Sequence, residues 1–371
     1  MKNPFLTFGY KGPEFFCDRV EETKRLTTLL TNGNHVALIS PRRMGKTGLI
    51  KHCFSQAQLQ KDFYLFIIDI YATKSQAELA YKLGQVILSV LKSKGRKAWE
   101  RFIQTAASLR TGVTLDALGQ PSWNLEVGDV RSPQITIDEI FQYLSNADKP
   151  CLVAIDEFQS IMDYPEKNTE AQLRTNIQEC SNAYFVFSGS KRHLMGGMFS
   201  SPARPFYQSA STMSLKPIPL ESYTRFIKHH FESNGLSITD DAIEYLYNKF
   251  DGTTWYIQKI CNEVFATADS EKVCNITDID YAIDYAIHEK EYTFQDLISR
   301  LTAKQKTLLT ALARSGKDVK PTSEEFIRKY RLTTASSVQR SLLALQDKDI
   351  VTNENGKYFI YDYLLSNWLA R

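Results

Sequence analysis

Long apolar runs are absent from this sequence of 371 residues. No stretch approaches the roughly 20 residues a helix needs to cross a bilayer, and Met1 to Tyr10 lacks the basic-then-apolar order of a signal peptide. The expectation is a cytoplasmic protein with no membrane partner. Cysteine is sparse: Cys17, Cys53, Cys151, Cys180, Cys261 and Cys274 are scattered, with no C-x-x-C pair and no histidine at metal-ligand spacing. They read as reduced, mostly buried thiols. The histidines cluster only at His229-His230, and adjacent positions on a helix point to different faces, so no metal site is expected there. Net charge is small as well, at +3, but it is unevenly spread. From Arg300 to Arg371 there are 13 Lys or Arg against 7 Asp or Glu, so a basic tail follows a slightly acidic body.

What is present is an ordinary water-exposed composition, 43% hydrophobic and 23% charged, on a chain long enough for two or three domains. The rest of the sequence is organised around Ser40-Pro41-Arg42-Arg43-Met44-Gly45-Lys46-Thr47. The apolar run Val36-Ala37-Leu38-Ile39 precedes it and Gly48-Leu49-Ile50 opens a helical pattern after it. Strand, tight loop and helix in that order form a phosphate loop. The amides of Pro41 to Gly48 (Pro41 itself supplying only the turn) and the positive end of the helix would face a polyphosphate. Lys46 would reach its β- and γ-oxygens, and the Thr47 hydroxyl would coordinate Mg²⁺. The pattern G-x-x-x-x-G-K-[ST] asks for Gly where this chain has Ser40, but a residue before proline is pushed to extended conformations that Ser adopts without strain.

Upstream, Phe15 to Glu22 leads into a helix with Val20, Leu26, Leu29 and Leu30 apolar, ended by Asn32-Gly33-Asn34. It reads either as a segment packing on the adenine base or as a plain capped amphipathic helix. Downstream, a helix runs to about Leu59, and Phe63 to Ile70 reads as a buried parallel strand whose Asp69 lies at the ligand-binding carboxyl edge. A long helix from Gln76 to about Lys94 follows. From about Gly95 to Ser132 the pattern is broken by glycines and prolines and reads as an insertion or mobile excursion, with a helix around Trp99 to Leu109.

Thr136 to Ala147 is amphipathic and leads to Cys151-Leu152-Val153-Ala154-Ile155-Asp156-Glu157, a buried strand delivering two carboxylates at its carboxyl end about 100 residues after the loop. Asp156 would hold Mg²⁺ through water opposite Thr47, and Glu157 would orient and deprotonate the attacking water. The next strand, Tyr184 to Phe187, ends in Ser188-Gly189-Ser190-Lys191-Arg192. Ser190 is placed to sense a γ-phosphate and Arg192 to offset transition-state charge, with helix capping as the other reading of the serines. Arg204 is a second candidate finger.

Leu215 to Leu220 reads as a short strand or extended exit, after which the periods become helical: Glu221 to Asn234, Thr239 to Phe250, Thr254 to Thr267 and Thr277 to Tyr292. The tail then reads helix (Lys304 to Arg314), helix (Ser323 to Tyr330), helix (Thr334 to Asp347) and two strands, Ile350-Val351 and Tyr358 to Ile360, joined across Asn353-Glu354-Asn355-Gly356. That is a winged helix. Its third helix carries only Arg340 as a base, and the basic excess lies in Lys304, Lys306, Arg328, Lys329 and Arg331, so duplex DNA and protein both stand as its partner.

The phosphate loop, the strand end Ile155-Asp156-Glu157-Phe158-Gln159, the turn Ser188-Gly189-Ser190 and the closing Tyr361-Asp362-Tyr363-Leu364-Leu365-Ser366-Asn367-Trp368-Leu369 together resemble the archaeal-type ATPases of archaea and Bacteroidetes, a branch of the STAND signalling ATPases within the AAA+ superfamily. The resemblance covers nearly the whole chain. It implies an α/β P-loop ATPase domain with a helix-sandwiched parallel sheet over 1–215, an all-helical lid over 216–296 and a winged helix over 297–371. It further implies ATP/ADP and Mg²⁺ as cofactors, slow ATP hydrolysis used as a switch, and a protein partner or self-association. By the same match Phe16, Asp18 and Arg19 stand in a nucleotide-flanking motif. Two positions depart from the family: Ser40, and Asp251-Gly252-Thr253-Thr254-Trp255, where a Gly-x-Pro-type lid turn is usual. A DNA-binding regulator tuned by nucleotide, and a nucleotide-bound scaffold, are the alternative expectations.

Overall fold

A computed structural model describes residues 3–116, 119–316, 319–354 and 356–371. The chain forms two compact units. A sheet unit spans Leu6–Tyr223 and takes in Thr253–Trp255; a helical unit comprises Thr224–Gly252 and Tyr256–Arg371 with the segment up to Phe5.

In the sheet unit the strands β1 (Val36–Ile39), β2 (Tyr64–Asp69), β5 (Cys151–Asp156), β6 (Ala183–Gly189) and β7 (Ser211–Met213) form one parallel sheet in the order β2-β5-β6-β1-β7. The order separates β1, which feeds the phosphate loop, from β5 by one strand, β6. Side chains alternate between two cores, as a period of two requires when both faces are covered. Val36 and Leu38 pack with Leu152 and Ala154 on one face. Ala37 and Ile39 pack with Val153 and Ile155 on the other. The helices α1 (Val20–Thr31), α2 (Lys46–Phe54), α3 (Ala57–Asp62), α4 (Gln76–Lys92), α5 (Arg96–Thr105), α6 (Pro133–Asn146), α7 (Thr169–Glu179) and α8 (Arg192–Ser200) supply the two layers.

Three expectations are corrected here. The helix expected to run to Leu59 is two, α2 and α3, because the chain breaks at Ser55 and Gln56, which is extended. The stretch 95–132 is not an excursion from the fold: α5, a 3₁₀ turn and the hairpin β3 (Val113–Leu115) with β4 (Pro121–Trp123) put Trp99, Phe102, Leu109 and Leu125 into the core beside α4 and α6. Its glycine reflects close packing, since a Cβ on Gly112 would lie 1.9 Å from Leu125. Of the short strand or extended exit expected from Leu215 to Leu220, the strand does not form: the last strand of the sheet is β7, and Leu215 to Pro219 is an irregular exit.

The helical unit holds α9 (Leu220–Glu232, from Thr224 onward), α10 (Asp240–Lys249), α11 (Thr254–Thr267, from Tyr256 onward), α12 (Ile276–His288), α13 (Glu291–Ser299), α14 (Ala303–Ser315), α15 (Glu324–Lys329), α16 (Ala335–Asp347) and α17 (Tyr363–Ala370). Two short parallel strands, β8 (Ser237–Ile238) and β9 (Val273–Cys274), also pair within it. The single helix expected from Thr277 to Tyr292 is two, with Glu289 and Lys290 between α12 and α13. The hairpin β10 (Val351–Glu354) and β11 (Lys357–Ile360) pairs antiparallel after α14 to α16, giving the helix-helix-helix-wing order. Of the expected wing turn, Asn355 lies outside the described residues. The closing motif forms α17, capped by the Asp362 carboxylate at 2.9 Å from Leu364 N.

Candidate functional site

The ends of β1, β5 and β6 bring the phosphate-loop, Asp-Glu and Ser-Gly-Ser segments together. Ser40 is fully buried, and its hydroxyl accepts the Leu215 backbone N–H at 2.5 Å. The residue that replaces the usual glycine thus ties the loop to the exit segment. Arg43 lies in the left-handed region at φ 67° and Gly45 at φ 90°, which closes the loop and starts α2 at Lys46.

Lys46 is buried with its ammonium turned back into the loop, 2.8 Å from the Ser40 carbonyl and 3.0 Å from that of Pro41. Burial lowers its pKa to about 8, against the pull of Glu157 and Asp156, which act to raise it. Thr47 Oγ1 donates to Asp156 Oδ2 at 2.5 Å. The two residues expected to hold Mg²⁺ therefore meet directly. A hydroxyl and a carboxylate are hard oxygen donors, and Mg²⁺ takes few protein ligands, filling its octahedron with waters and phosphate oxygens. Among the described residues no group of three or more His, Cys, Asp or Glu is placed to hold a metal without such help.

Glu157 sits at φ 55°, past the end of β5. Its Oε2 accepts Ser190 Oγ at 2.7 Å and Gln159 Nε2 at 2.5 Å, and Ser190 Oγ also accepts Arg42 Nε at 3.3 Å. Arg42, Ser190, Glu157 and Gln159 form one hydrogen-bonded row across the sheet edge. Gly189 is required behind it, because a Cβ there would lie 2.5 Å from Gln159 Oε1. Arg192 opens α8 with an exposed side chain. Arg204 is not presented as a finger: it pairs with the Glu170 carboxylate and reaches Met162 Sδ inside the unit.

The upstream motif divides into three roles. Phe16 stacks on His52 of α2, ring centroids 4.3 Å apart, and its edge lies against Gly48. Arg19 is buried at φ 65° and donates to Glu22 at 2.6 Å, the Lys216 carbonyl at 2.7 Å and the Met44 carbonyl at 3.2 Å. Asp18, at φ 54°, is half-buried beside the start of α1. Sequence reasoning assigned no role to Gln159, Tyr71 or Trp255. Tyr71 carries the Arg42 guanidinium 5.9 Å from its ring centre, and Trp255 carries that of Arg43 at 4.6 Å. No local pattern signals the second contact, since Arg43 and Trp255 are far apart in sequence.

A family model described as a probable winged helix domain matches residues 292–371. None of the curated proteins matches the chain. Among solved structures, the Walker-type ATPase PABY2304 of Pyrococcus abyssi is similar at 18% identity and a TM-score of 0.65, over 99% of both chains. The Aeropyrum pernix ORC2 protein, solved as ADPNP-ADP complexes, is similar at 14% identity and a TM-score of 0.58, over 100% of this chain and 96% of that one. The Aeropyrum pernix ORC1 protein in complex with DNA is similar at 13% identity and a TM-score of 0.51, over 96% and 93%. The chain has the α/β fold of the archaeal Walker-type P-loop ATPases, with a winged helix at its C-terminus.

Proposed function

We propose that the sheet unit binds ATP and ADP with Mg²⁺ and hydrolyses ATP slowly, the two nucleotides holding the protein in different states of a switch. The observation that carries this reading is the Thr47–Asp156 hydrogen bond beside a buried, charged Lys46. Lys46 and the loop amides hold the phosphates. Thr47 and Asp156 hold Mg²⁺, which when bound would offset the charge of the β- and γ-phosphate oxygens. Glu157 positions water and takes its proton, while Ser190, Arg42 and Arg192 answer to the γ-phosphate. Domain roles follow the boundaries 1–215, 216–296 and 297–371 for ATPase, lid and winged helix, with a cytoplasmic location as part of the same proposal; no helix among the described residues is long and apolar enough to cross a membrane.

Calorimetry of the protein with ATP and ADP, with and without Mg²⁺ and beside Lys46→Ala, tests it. Binding that needs Lys46 and is strengthened by Mg²⁺ supports the reading, and no binding by the unaltered protein rejects it.

A second reading, duplex DNA as partner of the winged helix, is favoured by one observation. Arg328, Lys329 and Arg331 are all exposed where α15 turns toward the N-terminus of α16. The outward face of α16 opposes it, because Ser336, Arg340, Leu343 and Asp347 offer a single base, an exposed leucine and an acid. A protein partner or a second copy of the chain suits that face better. Duplex binding whose affinity falls steeply with salt would favour DNA; none at low salt would exclude it.

A further inference from the structure

Two peptide groups of the phosphate loop are held from outside by residues distant in sequence. The Arg43 carbonyl accepts the Trp255 backbone N–H at 3.0 Å. The Met44 carbonyl accepts Arg19 Nη2 at 3.2 Å and Thr254 Oγ1 at 3.4 Å. In a planar trans peptide the C=O and the following N–H point in opposite directions. Drawing the Arg43 carbonyl outward therefore turns the Met44 N–H inward, and drawing the Met44 carbonyl outward does the same for the Gly45 N–H. Neither amide has an acceptor among the described residues. Two such donors side by side in a loop that ends in Lys46-Thr47 suit an anionic acceptor.

The side chains keep this arrangement in place. The Trp255 indole is fixed at its edge, where Nε1 donates to the Thr7 carbonyl at 3.0 Å, and on its face by the Arg43 guanidinium. Arg43 is thereby held in a left-handed conformation that costs a non-glycine residue on the order of 1 kcal/mol. The Thr254 methyl faces Gly45 from the same outer side, 3.8 Å from where a Cβ would stand.

We propose that Thr254 and Trp255, together with Arg19, are positioning residues that clamp the phosphate loop's outer carbonyls and so aim the Met44 and Gly45 amides at the nucleotide's phosphates. The clamp occupies the turn where related ATPases are expected to carry proline, and does its work through a backbone N–H, a hydroxyl and a ring face. This inference rests on the nucleotide-binding reading above.

The test is ADP affinity by calorimetry. Trp255→Ala raises Kd about tenfold, the size expected from losing a partly desolvated cation–π contact and the seat of one hydrogen bond. Trp255→Phe, which keeps a ring for Arg43, stays within about twofold of the parent, and Thr254→Val raises Kd about threefold. Arg43→Gln combined with Trp255→Ala costs no more than the worse single change, because both break one contact. Equal affinity in all variants, beside a parent that binds ADP, overturns the clamp alone; a parent that does not bind ADP overturns the nucleotide reading and the clamp with it. Should Trp255→Ala lose its circular-dichroism signature of folding, Thr254→Val decides, since it removes only a hydroxyl.

Discussion

The hydroxyl of Thr47, in the first turn of α2, donates to the carboxylate of Asp156 at the end of β5 at 2.5 Å, although β1, which leads into α2, is separated from β5 in the sheet by β6. This brings together at the sheet edge the hydroxyl and the carboxylate proposed above to hold Mg²⁺. In Asp156→Asn the side-chain amide oxygen still accepts from Thr47, so the local fold is kept while the charge is lost. ADP affinity without Mg²⁺ should stay within about threefold of the parent, and the gain that Mg²⁺ brings should fall by at least about tenfold. Calorimetry with and without the metal measures both, and an undiminished Mg²⁺ effect would remove Asp156 from the metal site.

Glu157 presents one oxygen, Oε2, to both Gln159 and Ser190, and the proposed mechanism assigns the other to the attacking water. Glu157→Gln retains an oxygen for both donors, so folding and ATP affinity should hold. Single-turnover hydrolysis should slow by about 100-fold or more, the usual worth of a general base. Hydrolysis at the parent rate would show that another group activates the water.

Ser40 stands where the phosphate-loop pattern G-x-x-x-x-G-K-[ST] has glycine, yet introducing the glycine should harm the protein. Ser40→Gly removes the acceptor of the buried Leu215 N–H and leaves that donor unpaired. The expected loss is about 1–3 kcal/mol of stability, read from chemical denaturation, with ADP affinity unchanged within about twofold. A variant as stable as the parent would mean that water replaces the hydroxyl.

His35 supplies a pH signature of the sheet unit. Its Nδ1 accepts the Phe185 N–H at 3.2 Å, which requires the neutral ring, and burial, aided by Arg174, lowers its pKa from 6.5 to about 4. The folded state therefore binds the proton less readily than the unfolded state. Stability is full above about pH 6.5 and is lost as the pH falls from there toward 4, by on the order of 1–3 kcal/mol. Denaturation midpoints between pH 7 and pH 4.5 should fall for the parent and fall less for His35→Gln.

Much of this architecture is written locally. Val36 to Ile39 and Cys151 to Ile155 are short apolar runs that only a sheet covered on both faces can bury, and the loop and carboxylates at their ends follow from that placement. The stretch 95–132 was illegible because Gly112 marks close packing against Leu125 rather than a linker, and Leu109 and Trp123 of the same stretch pack against Gly84 of α4, a partner that only folding brings near. Trp255 was illegible for the same reason. The helical period read from Thr254 onward does not single out its indole, and its partner Arg43 is known only once the chain has folded.

Arg204 shows how a motif-like arginine is reassigned by its surroundings. The Glu170 carboxyl is held above its usual range by burial, and Arg204 is the group that offsets this. If Arg204 served as a finger, Arg204→Gln would slow hydrolysis about 1,000-fold or more and leave stability untouched. A structural ion pair predicts the reverse: a loss of about 1–3 kcal/mol, because a buried carboxylate is left without its cation, with hydrolysis in the still-folded protein changed little. Adding Glu170→Gln should then recover much of the stability, since the stranded charge is gone. Denaturation curves of the two single variants and the double variant, read beside their single-turnover rates, separate the two roles, and the second outcome would leave Arg192 at the head of α8 as the arginine to test against the γ-phosphate.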